Sequence, residues 1–143
     1  GETQTEFEKF MSDNGELENP QLKKDFDAII AAIKKIIDDC GARENLFRPE
    51  GNNIKAIPLC IEQRRGKGVG TLRLYCIRIS GKILIIGNGG IKRVKRYEDD
   101  PILLDIVNKL RSIEHQIFIG TRKIHADYDD YQKVKMIIEA ITI

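Results

Sequence analysis

The hydrophobic pattern begins at helical spacing and turns to alternation halfway along the chain. Phe7, Phe10 and Met11 stand at i, i+3 and i+4 in residues 5–14, which predicts a short helix stopped by Asn14-Gly15. A polar linker then reaches Asn19-Pro20. Leu22, Phe26, Ile29, Ile30, Ile33, Ile36, Ile37 and Cys40 follow the 3.6-residue period, the clearest signal in the chain. Asn19 suits the N-cap, Pro20 the first helical position and Gly41 the stop. After a loop around Arg48-Pro49-Glu50-Gly51 the pattern becomes extended. Residues 54–62 form a first strand candidate, which Pro58 confines to an edge or a bulge. Residues 64–70 read as a flexible basic loop. Thr71–Ile79 and Lys82–Asn88 then read as a hairpin turning at Ser80-Gly81, with Asn88-Gly89-Gly90 ending its second strand. Lys92–Arg96 reads as a basic tail or a further strand.

Asp99-Asp100-Pro101 marks another helix start, with Leu103, Val107, Leu110, Ile113 and Ile117 on its inner face and Gly120 closing it. Asp127 is the expected cap of a last helix carrying Val134, Ile137, Ile138 and Ile141 on one side. The order is α+β: an N-terminal helical hairpin, a small antiparallel sheet, and one or two C-terminal helices in a single domain, residues 1–143. At 143 residues such a domain can bury roughly 68–70% of its unfolded surface.

Charge changes this picture more than composition does. The net charge is only +2, from 24 basic and 22 acidic residues. Yet residues 62–97 hold ten basic residues and one acid, Glu62, for +9, while the rest of the chain carries −7. A basic block of this kind is either the footprint of a phosphate-rich partner or a set of solvated side chains on strands and turns.

The longest aliphatic run, Ile29–Ile33, is far too short for a membrane span, and no signal peptide is visible, so a cytoplasmic location is expected. Three cysteines without CxxC spacing (Cys40, Cys60 and Cys76) fit free thiols in a reducing compartment. Neither Gly66-Lys67-Gly68-Val69-Gly70 nor Gly87-Asn88-Gly89-Gly90 contains the GK[ST] of a phosphate-binding loop. HExxH and calcium-loop spacings are absent, so neither a metal nor another cofactor is expected. His115 and His125 read as ordinary surface residues.

With a turn at Ser80-Gly81, Arg73, Tyr75, Ile77 and Ile79 should share a face with Lys82, Leu84, Ile86 and Asn88. Arg73 and Asn88 would then meet at the far end of the hairpin, near Lys92 and Arg93. An arginine among strand aliphatics either snorkels to solvent or a carboxylate, or serves as a fixed cation aimed at a phosphate.

The run Leu72-Arg73-Leu74-Tyr75-Cys76, the short hairpin, Ile83-Leu84-Ile85-Ile86-Gly87, Gly90-Ile91-Lys92-Arg93 and a capped helix resemble the RelE/HigB-like toxins of bacterial toxin–antitoxin pairs, in the RelE/ParE superfamily. Glu62-Gln63-Arg64 resembles the family's Glu-Leu-Arg-like motif, Arg73 its strand arginine and Lys92-Arg93 its basic pair. The resemblance covers about residues 5–117, leaving 118–143 as an extension.

It implies a RelE-like fold and a metal-independent endoribonuclease that cuts mRNA, with the ribosome and an acidic antitoxin as partners. Arg73 and Arg93 would stabilise the transition state, Lys92 would assist, and Tyr97 would serve as base or as a platform for a nucleobase. Arg64, Arg65, Lys67, Asn88, Lys95 and Arg96 would hold RNA. The same fold implies a rival, a non-catalytic protein-binding module of the gyrase-inhibitor or inert phage-derived type. The amphipathic C-terminal helix is a candidate for core packing or a homodimer contact.

Overall fold

The computed structural model describes residues 5–40, 48–49, 54–57, 70–81, 83–94, 96–128 and 130–140. Helix α1 spans Glu6–Asn14 and α2 spans Pro20–Lys35, continued by a π-helical turn, Ile36–Cys40. Strands β1 (Arg48–Pro49), β2 (Ile54–Ile57), β3 (Thr71–Ser80) and β4 (Ile83–Lys92) precede a 3-10 turn at Tyr97–Asp99. Helices α3 (Pro101–Lys123) and α4 (Tyr131–Ala140) complete the described elements. The sheet is antiparallel throughout in the order β1-β2-β3-β4, so the architecture is α+β.

The helix starts are where the polar pattern puts them. Thr5 accepts the Glu8 amide, Asn19 accepts those of Gln21 and Leu22, and Asp100 accepts those of Ile102 and Leu103. Each cap contributes about 1 kcal/mol by satisfying amides that the first turn leaves open. The last helix differs from expectation. Asp130 rather than Asp127 accepts the Lys133 amide, so α4 starts one turn later.

The sheet is covered on both faces. Phe10 of α1 and Leu22, Ile29 and Ile33 of α2 pack against Ile57, Leu72, Leu74 and Cys76. The opposite face buries Tyr75, Ile77, Ile79 and Ile83 beneath Leu103, Val107, Leu110 and Ile117 of α3. Val134 of α4 is fully buried in this second cluster, so the C-terminal extension contributes to the core. Gly120 does not end α3. A β-carbon there would lie 2.7 Å from Ile137 Cγ2, so this glycine lets α4 close on the helix midway through its last turns.

The expected hairpin register is wrong by one to two residues. Ser80 pairs with Ile83, Arg78 with Leu84, Ile77 with Ile85 and Cys76 with Ile86. A one-residue slip exchanges faces along a strand. Ile83 and Ile85 therefore join Ile77 and Ile79, while Leu84 and Ile86 join Leu72 and Cys76. Beyond Ile86 the ladder resumes at Leu74–Gly89, so Gly87 and Asn88 together oppose Tyr75 in a bulge. The glycines do not end β4; they let it run on to Lys92. A β-carbon at Gly87 would lie 2.9 Å from Leu110 Cδ2. Among the described residues β3 is an inner strand and β4 is an edge. The loop around Arg48-Pro49 supplies the short β1.

Candidate functional site

The expected cationic residues gather where β3 begins and β4 ends. Thr71 pairs with Lys92, Leu72 with Ile91 and Arg73 with Gly90. Since alternate residues share a face, Arg73 and Lys92 are diagonal neighbours on the α3 side of the sheet, within roughly 7–8 Å between backbones. Arg73 is only 3% exposed and Lys92 half-buried, so the first is a charge set into the protein and the second reaches its surface. Gly90 leaves the space opposite Arg73 without a side chain; a β-carbon there would come 3.4 Å from Leu103 of α3.

Arg93 follows immediately and is exposed. Its aliphatic stem is seated on Gly70, where a β-carbon would lie 2.7 Å from Arg93 Cγ and 2.8 Å from the Lys92 carbonyl oxygen. Gly70 has φ +74°, a left-handed conformation that glycine adopts without steric penalty. Arg96, also exposed, donates from Nε to Glu98 at 3.0 Å. Desolvation pushes the Glu98 carboxyl up, but its own backbone amide, Arg96 and Tyr97 together outweigh this and hold it below the ordinary value.

Two expected residues lie elsewhere or serve differently. Asn88 does not meet Arg73. It sits in the bulge, donates to Glu6 of α1 at 3.3 Å and accepts the Gly89 amide at 2.7 Å. There it borders a groove of about 710 Å³ along the β4 edge, between Glu6 and Lys9 of α1 and Ile102, Ile106 and Ile113 of α3.

Tyr97 is 3% exposed, with its ring edge-on to Tyr75 at 6.1 Å between centroids. Its hydroxyl accepts a hydrogen bond from Arg111, whose guanidinium also lies 5.8 Å from the ring centre. A ring so enclosed offers no open face for a nucleobase, which corrects the platform expectation. Arg64, Arg65, Lys67 and Lys95 lie outside the described residues, as do Glu62 and Gln63.

Sequence reasoning overlooks three contributors. Asp25 is buried on α2, and its Oδ2 accepts the Leu72 amide at 2.9 Å, 47 residues away. A carboxylate between Leu22 and Ile29 on an apolar helical stripe is a usable signal. Arg111 follows the fully apolar inner face of α3 and carries no comparable mark. Gly70 belongs by composition to a flexible loop, and only its backbone conformation marks it as the seat of Arg93.

Among the described residues no group of three His, Cys, Asp or Glu side chains could hold a metal ion. His115 and His125 are exposed. Burial pushes the Cys76 thiol up to about 12, against the opposing pull of Lys55, so this sulfur remains protonated at neutral pH. No helix among the described residues is long and apolar enough to cross a membrane.

Arg73 and Lys92 therefore place two cations on the α3 side of the sheet, while the Arg93 stem lies with Ile91 on the α2 side and its head is exposed. Cations near a low-dielectric interior act more strongly than the same charges in water. No protein-family model matches the chain, and no curated protein or solved structure is significantly similar to it.

Proposed function

We propose that this chain is a RelE/HigB-like toxin: a metal-independent endoribonuclease that cleaves mRNA on the ribosome and is neutralised by an acidic antitoxin. The observation that carries this reading is the shared face of Arg73 and Lys92, with the exposed Arg93 next in the chain, its stem packed with Ile91 about Gly70 on the other side of the sheet. In-line attack by a ribose 2′-hydroxyl crowds negative charge onto a pentacovalent phosphorus. It also needs a base for the 2′ proton and an acid for the leaving 5′ oxygen. Lys92 and Arg93 engage the non-bridging oxygens in this reading. Arg73 supplies its charge from beneath, and Tyr97 takes part as a hydroxyl–guanidinium pair with Arg111. Arg96 extends the phosphate track, and the +9 middle of the chain is the surface an acidic antitoxin segment would cover.

The test is induced expression of the wild type beside Arg73→Ala and Arg93→Ala, with growth followed and mRNA 5′ ends mapped. Growth arrest with new 5′ ends in the wild type, and their loss in both variants, is the expected result. A harmless wild type that leaves mRNA intact removes the nuclease reading.

The non-catalytic RelE/ParE-like module is the second reading, and the 3% exposure of both Arg73 and Tyr97 favours it. In its gyrase-inhibitor form that reading predicts a wild type that arrests growth without cutting mRNA and a purified protein that inhibits gyrase supercoiling; in its inert form, neither effect.

A further inference from the structure

A carboxylate buried among aliphatic side chains is costly unless a strong donor compensates it. Asp25 is 6% exposed and stands three residues after Leu22 and four before Ile29, both buried on the sheet-facing stripe of α2. Its Oδ2 accepts the Leu72 amide at 2.9 Å, a charge-assisted bond of the stronger kind.

Leu72 is the second residue of β3. Among the described residues, the β2–β3 ladder ends at Ile57–Leu74, so it does not extend as far as Leu72. On the other side β4 holds the same stretch through Thr71–Lys92, Leu72–Ile91 and Arg73–Gly90. The start of β3 is thus fixed by a strand on one side and by an α2 carboxylate on the other. Leu72 and Arg73 are consecutive, so the carboxylate faces the α2 layer while the guanidinium faces α3, one step along the strand.

We propose that Asp25 is a positioning residue for the anion site: by anchoring the Leu72 amide from the α2 layer, it sets Arg73 and its cross-strand neighbour Lys92 in register for a phosphate. The proposal rests on the phosphate-binding reading given above. It adds a control point on a different layer of the fold, where the side chain contacts no RNA.

The experiment compares wild type with Asp25→Asn, which keeps an acceptor but loses the charge, Asp25→Ala, which loses both, and Ile29→Val, a change in the same packed layer that leaves the Asp25 carboxylate and its bond to the Leu72 amide in place. Each is assayed well below its thermal midpoint for binding of a 2′-O-methyl oligoribonucleotide, which cannot be cleaved. NMR follows the Leu72 amide exchange and the Arg73 Nε–H and Lys92 amide resonances.

Loss of a hydrogen bond to a charged group predicts affinity about tenfold weaker in Asp25→Ala, and about two- to fivefold weaker in Asp25→Asn. Leu72 exchange should accelerate in the alanine variant, and the Arg73 and Lys92 resonances should move in both. Ile29→Val should lower the midpoint while leaving affinity and these resonances unchanged. A purely structural Asp25 would instead lower the midpoint without changing either; should the alanine variant not fold, the same result in Asp25→Asn overturns the proposal. If the wild type itself does not bind the oligoribonucleotide, the phosphate-binding reading fails, while the resonance shifts still decide whether Asp25 positions Arg73.

Discussion

A β-carbon on Gly89 would stand 1.8 Å from the Arg73 carbonyl oxygen, closer than any side chain can be tolerated against a strand backbone. Gly89 and Arg73 therefore constrain one another: β4 can lie alongside β3 at this level only while residue 89 has no side chain.

Gly89→Ala should cost about 3 kcal/mol or more, the upper range for overpacking, because the obstacle is backbone rather than a movable side-chain end. Gly90→Ala, one residue on, meets among the described residues only Leu103 at 3.4 Å and should change stability by no more than about 0.5 kcal/mol in either direction. Urea denaturation of the two variants measures the contrast, and equal losses would contradict it.

Gly70→Ala places a β-carbon at φ +74° and against both the Arg93 stem and the Lys92 carbonyl. A destabilisation of about 1–2 kcal/mol follows from the left-handed backbone alone. The displaced Arg93 should also weaken RNA binding. The logarithm of affinity should then fall less steeply with salt, by about 0.7 for each single-strand phosphate that is no longer neutralised. Titration of an oligoribonucleotide at several salt concentrations reads both effects.

Tyr97→Phe keeps the ring against Tyr75 and removes the hydroxyl that Arg111 meets. Stability should fall by about 0.5–1.5 kcal/mol, as for an ordinary hydrogen bond. If the hydroxyl moves a proton in RNA cleavage, the single-turnover rate should fall by about 10²–10⁴-fold at unchanged RNA affinity. An unchanged rate would assign Tyr97 to packing alone.

Cys76 predicts an alkaline limit to stability. Burial raises its thiol to about 12 in the folded protein, whereas the unfolded chain ionises near 9. The folded state therefore binds more protons than the unfolded state between these values. The contribution is complete below pH 9 and is lost as pH rises toward 12, by about 1.4 kcal/mol per pH unit. Cys76→Ala should flatten that part of the curve when urea midpoints are followed from about pH 8 to the highest pH at which the protein still folds.

The helices are legible in the sequence because their signals are local. Asn19 and Asp100 announce themselves by what one side chain can do for the next two or three amides, and the α2 stripe needs no distant partner to be read. The hairpin faces are not legible, because they depend on where the turn falls and on the bulge at Gly87-Asn88. That bulge is set by Leu110 and by the Tyr75 and Arg73 backbones, all distant in sequence or on the other strand. The same limit governs the site. Lys92 and Arg93 can be located as a basic pair, but the burial of Arg73 and Tyr97 arises only when α3 lies across them. Asp25 shows the reverse case: its charge is visible on the helix, but its partner amide lies 47 residues away.

The irregular stretch of β4 also has a bearing on colloidal behaviour. A ten-residue sheet edge with regular backbone spacing invites a neighbouring molecule to continue the sheet, and from there a fibre. Here the extra residue at Gly87-Asn88 shifts the rhythm of donors and acceptors partway along, and Asn88 turns to Glu6 at the rim of α1. A straight strand from another copy could match one half of that edge or the other, but not both. Removing the bulge by deleting one of its two residues would give the molecule a continuous template and a tendency to assemble into extended sheets.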